Sequence, residues 1–303
     1  MSVGYVNIRD APPDYRSISD TASANEPLIM IPIRIWIDSI SSFLFEHRLD
    51  GVELFYRLPL SKEDKDNFVF FVRELRYKLE SMRKTTSRQT PYIVAVYASP
   101  HSWAVKGESL VSDLLPSVDF FNVETDNFNA PNLETGVTGP LSPLYSKNDQ
   151  SIDSKMRAYV CIAKEPSRLN FIVPFRGVSW KNVEYPLENE EQYRTVRMKN
   201  ESGNALAWRD FKKEWDLSSA VWDEKSKTPY VWNPKNRSLL TFENERSMRE
   251  KMEYMISKNL GGITVDRVEW DDDSNTLLNA LTSIDVCPGG PKFKKNEVNY
   301  YCE

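Results

Sequence analysis

Apolar residues along the chain follow two alternating rhythms. Short apolar runs bounded by turn residues recur at "DGVELFY" (50–56), "PYIVAVYAS" (91–99), "VDFFNVET" (118–125), "LNFIVPF" (169–175) and "GGITVDRVEW" (261–270), each with the length and the β-branched or aromatic content of a buried strand. Between them, Ile33 to His47, Lys62 to Met82, Ile152 to Lys164, Glu243 to Lys258 and Asn275 to Ile284 place apolar residues three and four apart, the spacing of one helix face. Strands that alternate with amphipathic helices predict βαβ units and a parallel sheet, flat or closed, in the α/β class. Two stretches break the rhythm. Residues 10–28 are polar and turn-rich, and residues 176–242 form a long Trp-containing segment with the character of an insertion.

Composition narrows the functional classes. The 303 residues suit one large α/β domain as well as two ordinary ones, and 40% hydrophobic with 27% charged residues is globular. A net charge of -5 with no block of like charges argues against a nucleic-acid binder, because phosphate binding needs clustered Lys and Arg. No apolar run reaches the ~18 residues of a membrane span, and "MSVGYVNIRD" lacks the charged and then apolar layout of a signal peptide. As written, the chain carries no export address.

The cysteines point the other way. Cys287 and Cys302 bracket the tail "CPGGPKFKKNEVNYYC", a spacing that suits a disulfide holding a terminal loop, and such a bond requires an oxidising compartment. Cys161 sits in a helical pattern and reads as a buried small hydrophobe. "NES" at Asn200 and "NRS" at Asn236 match the acceptor pattern for N-glycosylation, which has meaning only in a secreted chain. The two histidines, His47 and His101, have no Cys or carboxylate at ligand spacing, so neither a metal centre nor a cofactor is expected. "WDDDSN" (270–275) lacks the spaced ligands of a calcium loop and reads as capping charge for the helix that follows. Trp208, Trp215, Trp222 and Trp232 cluster in the insertion, and most of them are expected to belong to its small core.

The stretch "LDGVELFYRLP" (49–59) resembles the catalytic fourth strand of glycoside hydrolase family 18, the chitinases and chitinase-like proteins, whose motif is D-G-x-D-x-D-x-E followed by an aromatic residue and Pro. "VDFFNVETDNF" resembles that family's sixth strand and "LNFIVPFRG" its seventh. Residues 220–273 resemble its closing section, in which an insertion domain ends, a charged helix follows and the eighth strand opens on Gly-Gly. The resemblance runs from about residue 30 onward. It implies a TIM (β/α)8 barrel with chemistry at the carboxyl ends of the strands. Residues 1–303 would be one barrel domain, with an insertion at about 178–242 between the seventh and eighth strands and a tail at 287–303. "MSVG" would then lie near the third strand. The first two strands have no counterpart, which implies an incomplete chain or a barrel open on one side.

The same resemblance removes the chemistry. In the family the last Glu of the motif protonates the glycosidic oxygen, the Asp two residues before it orients the N-acetyl group, and the N-acetyl oxygen is the nucleophile. Laid onto this chain, the motif reads Asp50, Glu53, Phe55 and Arg57. Arg57 cannot donate a proton, since a guanidinium stays charged at any useful pH, and Phe55 cannot orient an amide. The sixth strand's M-x-Y-D falls on Glu124, Thr125, Asp126 and Asn127, the seventh strand's Tyr on Arg176, and the eighth strand's floor Trp on Asp266.

The resemblance therefore implies a non-hydrolytic chitinase-like protein that binds chitin or N-acetylglucosamine oligosaccharides or regulates a protein partner. The alternatives are an active chitinase of carbohydrate metabolism and a truncated product without function. The family is extracellular, which the missing signal segment leaves open. Strand alternation puts Glu53, Phe55 and Arg57 on the barrel-facing side. Arg57 and Arg176 would then project near Glu53, Glu124, Asp126 and Asp266, either as an ion-pair network that seals the former cleft or as a remodelled polar pocket. His101 and Trp103, on a loop after the fifth strand, are candidate sugar contacts.

Overall fold

The computed structural model describes residues 3–7, 26–56, 62–99, 110–131, 136–187, 190–197, 203–284 and 297–302. It divides into two compact units, Met1–Val123 with Ile162–Lys164, and Glu124–Cys161 with Glu165–Glu303.

In the first unit the predicted βαβ units form. Strands β1 (Val3–Asn7), β2 (Gly51–Phe55), β3 (Ile93–Ala98) and β4 (Phe120–Val123) lie parallel in sequence order. Helices α1 (Glu26–Glu46), α2 (Lys62–Thr85) and the short α3 (Leu110–Leu114) connect them. Val52, Leu54, Val94, Val96 and Phe121 are fully buried, and α2 turns Phe68, Phe71, Val72, Leu75 and Leu79 inward, as its three- and four-residue spacing requires. Gly51 is obligatory where β2 meets β3, because a Cβ there would lie 2.2 Å from the carbonyl oxygen of Ile93. Arg76 pins the β3–β4 end: Nε donates to the Ser117 carbonyl (2.9 Å), Nη1 donates to the Tyr92 carbonyl (2.7 Å), and the guanidinium pairs with Asp119. Asp119 in turn accepts from the amide of Val94 at 2.7 Å.

The second unit holds a parallel pair, β5 (Leu169–Pro174) with β13 (Gly262–Asp266), and helices α4 (Ile152–Ala163), α6 (Glu245–Ser257) and α7 (Thr276–Thr282). Between β5 and α6 the chain builds an antiparallel sheet in the order β10-β11-β12-β6-β9 from β6 (Arg176–Trp180), β9 (Gly203–Ala207), β10 (Val221–Asp223), β11 (Thr228–Asn233) and β12 (Ser238–Thr241). A hairpin, β7 (Val183–Leu187) with β8 (Glu190–Val196), and helix α5 (Trp208–Glu214) complete this stretch. Trp180, Val178, Val183, Tyr230 and Leu239 form its core and Trp232 packs on it, while Trp208 lies against Phe211 and Phe242. Trp222 is half-buried under the Arg246 guanidinium, 3.9 Å from the ring centroid, and Trp215 is also half-buried, so the four tryptophans share the work of packing unequally.

Three expectations change. The run 261–270 is a strand only to Asp266: Arg267 takes a left-handed backbone (φ 62°), which ends the strand, and Val268–Trp270 form a 3-10 turn. The pairing of Cys287 with Cys302 is replaced. Cys302 is bonded to Cys161 on α4, with Cα atoms 5.3 Å apart, and Cys287 lies outside the described residues. Cys161 is consequently a cross-link rather than a small hydrophobe. The bond closes a separation of 141 residues, and a staple of this kind stabilises by about 2 to 4 kcal/mol, chiefly by restricting the unfolded chain. The "WDDDSN" carboxylates do cap α7: Asp271 accepts from the amides of Leu277 (3.1 Å) and Leu278 (2.9 Å), and Asp272 from that of Thr276 (3.1 Å). No helix among the described residues is long and apolar enough to cross a membrane.

Candidate functional site

The replaced motif positions fall into two groups, one in each unit. In the first unit the period of β2 separates them as expected. Val52 and Leu54 are fully buried, Tyr56 lies against Phe68 of α2 with ring centroids 4.9 Å apart, and the half-buried Glu53 and Phe55 take the alternate positions. The Glu53 carboxylate accepts from Asn122 Nδ2 at 2.7 Å, a neighbour supplied by β4. Burial pushes the Glu53 carboxyl above its ordinary value, and the Asn122 hydrogen bond pulls the other way. Phe55 packs on Tyr97 of β3, 4.4 Å between centroids, and Asp50 accepts from Arg88 Nη2 at 2.6 Å.

The second group centres on Arg176. Pairing of β5 with β13 sets Pro174 opposite Asp266, and Phe175, fully buried, donates its amide to the Asp266 carbonyl (3.2 Å) while its own carbonyl accepts from Trp208 (3.1 Å). That clamp delivers Arg176 beside the Asp266 carboxylate. Thr125 anchors the opposite wall: its hydroxyl donates to the Ile172 carbonyl (2.7 Å) and accepts from the Ile172 amide (2.9 Å). Its sequence neighbours therefore sit at the carboxyl side of β5. Arg176 Nη2 donates to Asn127 Oδ1 at 2.6 Å and to Asp126 Oδ2 at 3.0 Å, and Nη1 pairs with Asp266 Oδ2. Asn127 Nδ2 donates on to Asp126 Oδ2 (3.3 Å) and to Glu124 Oε1 (3.4 Å).

The cluster is closed. The Arg176 side chain is 10% exposed and that of Asp126 5%, so both charges have left water, and only Asp266, at 33%, keeps substantial solvent. The guanidinium joins the Asp126 and Asp266 carboxylates, Asn127 links Asp126 to Glu124, and Arg267 Nε lies 3.9 Å from Asp266. Burial raises the Asp126 carboxyl above its ordinary value; Arg176 opposes that rise and Glu124 adds to it. Glu124 also helps burial hold the Tyr159 phenol well above its usual range. Such an arrangement fixes side chains and excludes water. The guanidinium holds its protons, and Asp126 and Asp266 are both paired to it.

Arg176, Asp126, Asn127, Glu124 and Asp266 are thus brought together, while the partner of Glu53 is Asn122. Arg57, His101 and Trp103 lie outside the described residues. His47 is exposed and its ring rests on Phe43, 4.3 Å between centroids. The sequence reading missed Asn122. Its signal was a polar residue at the centre of the apolar run "VDFFNVET".

A model of glycosyl hydrolases family 18 matches residues 33–271. The chain belongs to glycosyl hydrolase family 18. Chitinase A1 of Niallia circulans is 24% identical over 285 residues, covering 84% of this chain and 39% of that protein. The oviduct-specific glycoprotein of Mus musculus is 26% identical over 261 residues, covering 80% of this chain and 34% of its own length. The chain spans about two fifths or less of the length of these curated relatives. Among solved structures, a class V chitinase from Nicotiana tobaccum in complex with NAG4 superposes with a TM-score of 0.73 at 18% identity, over 87% of this chain and 78% of that one. Likeness to family 18 structures of this kind implies a TIM-barrel-like α/β fold, in keeping with the parallel strands of both units.

Proposed function

We propose that this family 18 chain is a non-hydrolytic chitinase-like protein that recognises N-acetylglucosamine oligosaccharides without cleaving them. The observation that carries the reading is the Arg176 cluster, in which positions that match the family's substrate-holding Tyr, Asp and Trp are instead joined to one another by ion pairs and a hydrogen bond. Arg57 stands at the acid position, and loss of a general acid alone costs about 10² to 10⁴-fold in rate. Phe55, packed on Tyr97, takes the place of the carboxylate that would orient the nucleophilic N-acetyl group. Sealing by ion pairs is favoured over a remodelled pocket because Arg176 and Asp126 are nearly fully buried.

In this reading β1 is the third barrel strand, no counterpart of the first two lies among the described residues, and the antiparallel sheet within about 178–242 is the family's insertion domain. Sugar recognition is assigned in this reading to His101 and Trp103, in an extracellular setting. The likeness to a chitinase solved with NAG4 supports trying that ligand class first. Isothermal titration with a chitooligosaccharide of four units is expected to give saturable heat with the sugar recovered intact. Trp103→Ala should weaken that binding about tenfold through lost stacking. Absence of any binding heat would remove the glycan half of the proposal and leave a protein partner as the target. The competing reading, an active chitinase, is favoured by family membership alone and is separated by turnover.

A further inference from the structure

We propose that Asn236 carries an N-linked oligosaccharide in the mature protein, added in the same oxidising lumen that forms the Cys161–Cys302 bond. Two independent observations meet here. The first is the disulfide, which joins α4 to the C-terminal residues and requires passage through an oxidising compartment. The second is the placement of the acceptor triplet. Asn236-Arg237-Ser238 closes the β11–β12 hairpin, whose last rung pairs Asn233 with Ser238, so residues 234–237 form a turn beyond the ladder. All four turn residues are exposed, whereas Ser238 is buried at the start of β12.

The tip is held rigidly enough to present its amide in one direction. Asn233 Oδ1 accepts from the Lys235 amide at 3.1 Å. Arg237, with a left-handed backbone (φ 52°), donates Nε to the Val183 carbonyl and Nη2 to Glu184, each at 3.0 Å. Ser238 Oγ donates to Asn236 Oδ1 at 2.6 Å, which occupies the amide oxygen. Asn236 Nδ2, the atom to be modified, makes no hydrogen bond among the described residues. A branched sugar there extends into solvent and displaces no packed side chain.

The step balances without an oxidant. Asn236 Nδ2 attacks the anomeric carbon of an oligosaccharide carried on a lipid pyrophosphate; the N–C bond forms, the bond from that carbon to the pyrophosphate oxygen breaks, the lipid pyrophosphate leaves and the amide releases one proton. The other triplet, at Asn200, lies outside the described residues and is the internal comparison.

The test is to direct the full chain into the endoplasmic reticulum of eukaryotic cells, recover it from the medium or from the lumenal fraction, and map its peptides after glycosidase release in heavy-oxygen water. The expected result is Asn236 converted to heavy-labelled Asp in protein whose Cys161 and Cys302 remain joined. Asn236→Gln, a change at an exposed turn, should lose one glycan's mass and still fold, and Ser238→Thr should keep the glycan. Disulfide-bonded protein with unmodified Asn236 overturns the proposal, whatever the state of Asn200. Recovery of the protein from its own source with free Cys161 and Cys302 thiols and an unmodified Asn236 overturns it equally.

Discussion

Lys251→Met is expected to lower stability by about 3 to 5 kcal/mol, the cost of leaving a buried charge without its partner. The Lys251 side chain is 0% exposed and its ammonium pairs with Glu243, itself 2% exposed. Ser247 donates its hydroxyl to the same carboxylate at 2.6 Å, and Asn244 begins α6 immediately after Glu243 with a reciprocal capping pair to Ser247. Burial pushes Lys251 down and Glu243 up, and the attraction and hydrogen bond between the two oppose both shifts. Removing the ammonium strands the carboxylate; removing both charges does not. Lys251→Met combined with Glu243→Gln should therefore recover most of the loss, a non-additivity measurable from denaturation midpoints at unchanged slope. A single variant within about 1 kcal/mol of the parent would show that the pair is not buried as described.

Arg176→Met is expected to cost a similar amount at neutral pH, about 3 to 5 kcal/mol, and less in acid. The guanidinium holds Asp126 and Asp266 together, and burial with Glu124 already raises the Asp126 carboxyl above its ordinary value. A group with a raised folded pKa contributes stability that is fully present below its unfolded value and is lost as pH rises through the folded one. Arg176 limits that loss by holding the Asp126 pKa down. In the variant the pKa climbs further, so the penalty is largest at neutral pH and shrinks as Asp126 takes up a proton. Stability difference against pH, measured by urea unfolding from about pH 7 to about pH 4, reads this directly. A difference that stays flat across that range would mean that Arg176 does not neutralise Asp126.

The parallel strands and most helices were legible because burial on both faces or on one stripe writes itself as a period. The sheet within 176–242 was not. In β8 the buried alternate positions are Gln192, Arg194 and Val196, so polar residues occupy the inward face. They are satisfied by partners near and far in sequence: Gln192 by Ser226 at 2.9 Å, and Arg194 by the Glu191 carbonyl at 2.9 Å, the Glu184 carbonyl at 3.0 Å and the Trp232 ring at 4.0 Å. An alternation of that kind reads as surface. Lys251 was hidden in the same way, since a lysine in a charged helix normally lies on the solvated face. The Cys161–Cys302 bond closes 141 residues and leaves no trace in local spacing. Of the site, the replacements and the expected meeting of Arg176 with Asp126 and Asp266 came from the resemblance to the family's strand motifs, whereas the Glu53–Asn122 pair depended on the β2–β3–β4 register.

The most direct measurement is the initial rate of fluorophore release from a chitooligosaccharide substrate by the purified chain, across the acidic to neutral range. The account predicts release no faster than in buffer at every pH, both for the parent and for Arg176→Met, because neither carries a proton donor at the Arg57 position. Sustained turnover that rises in proportion to protein concentration would contradict it.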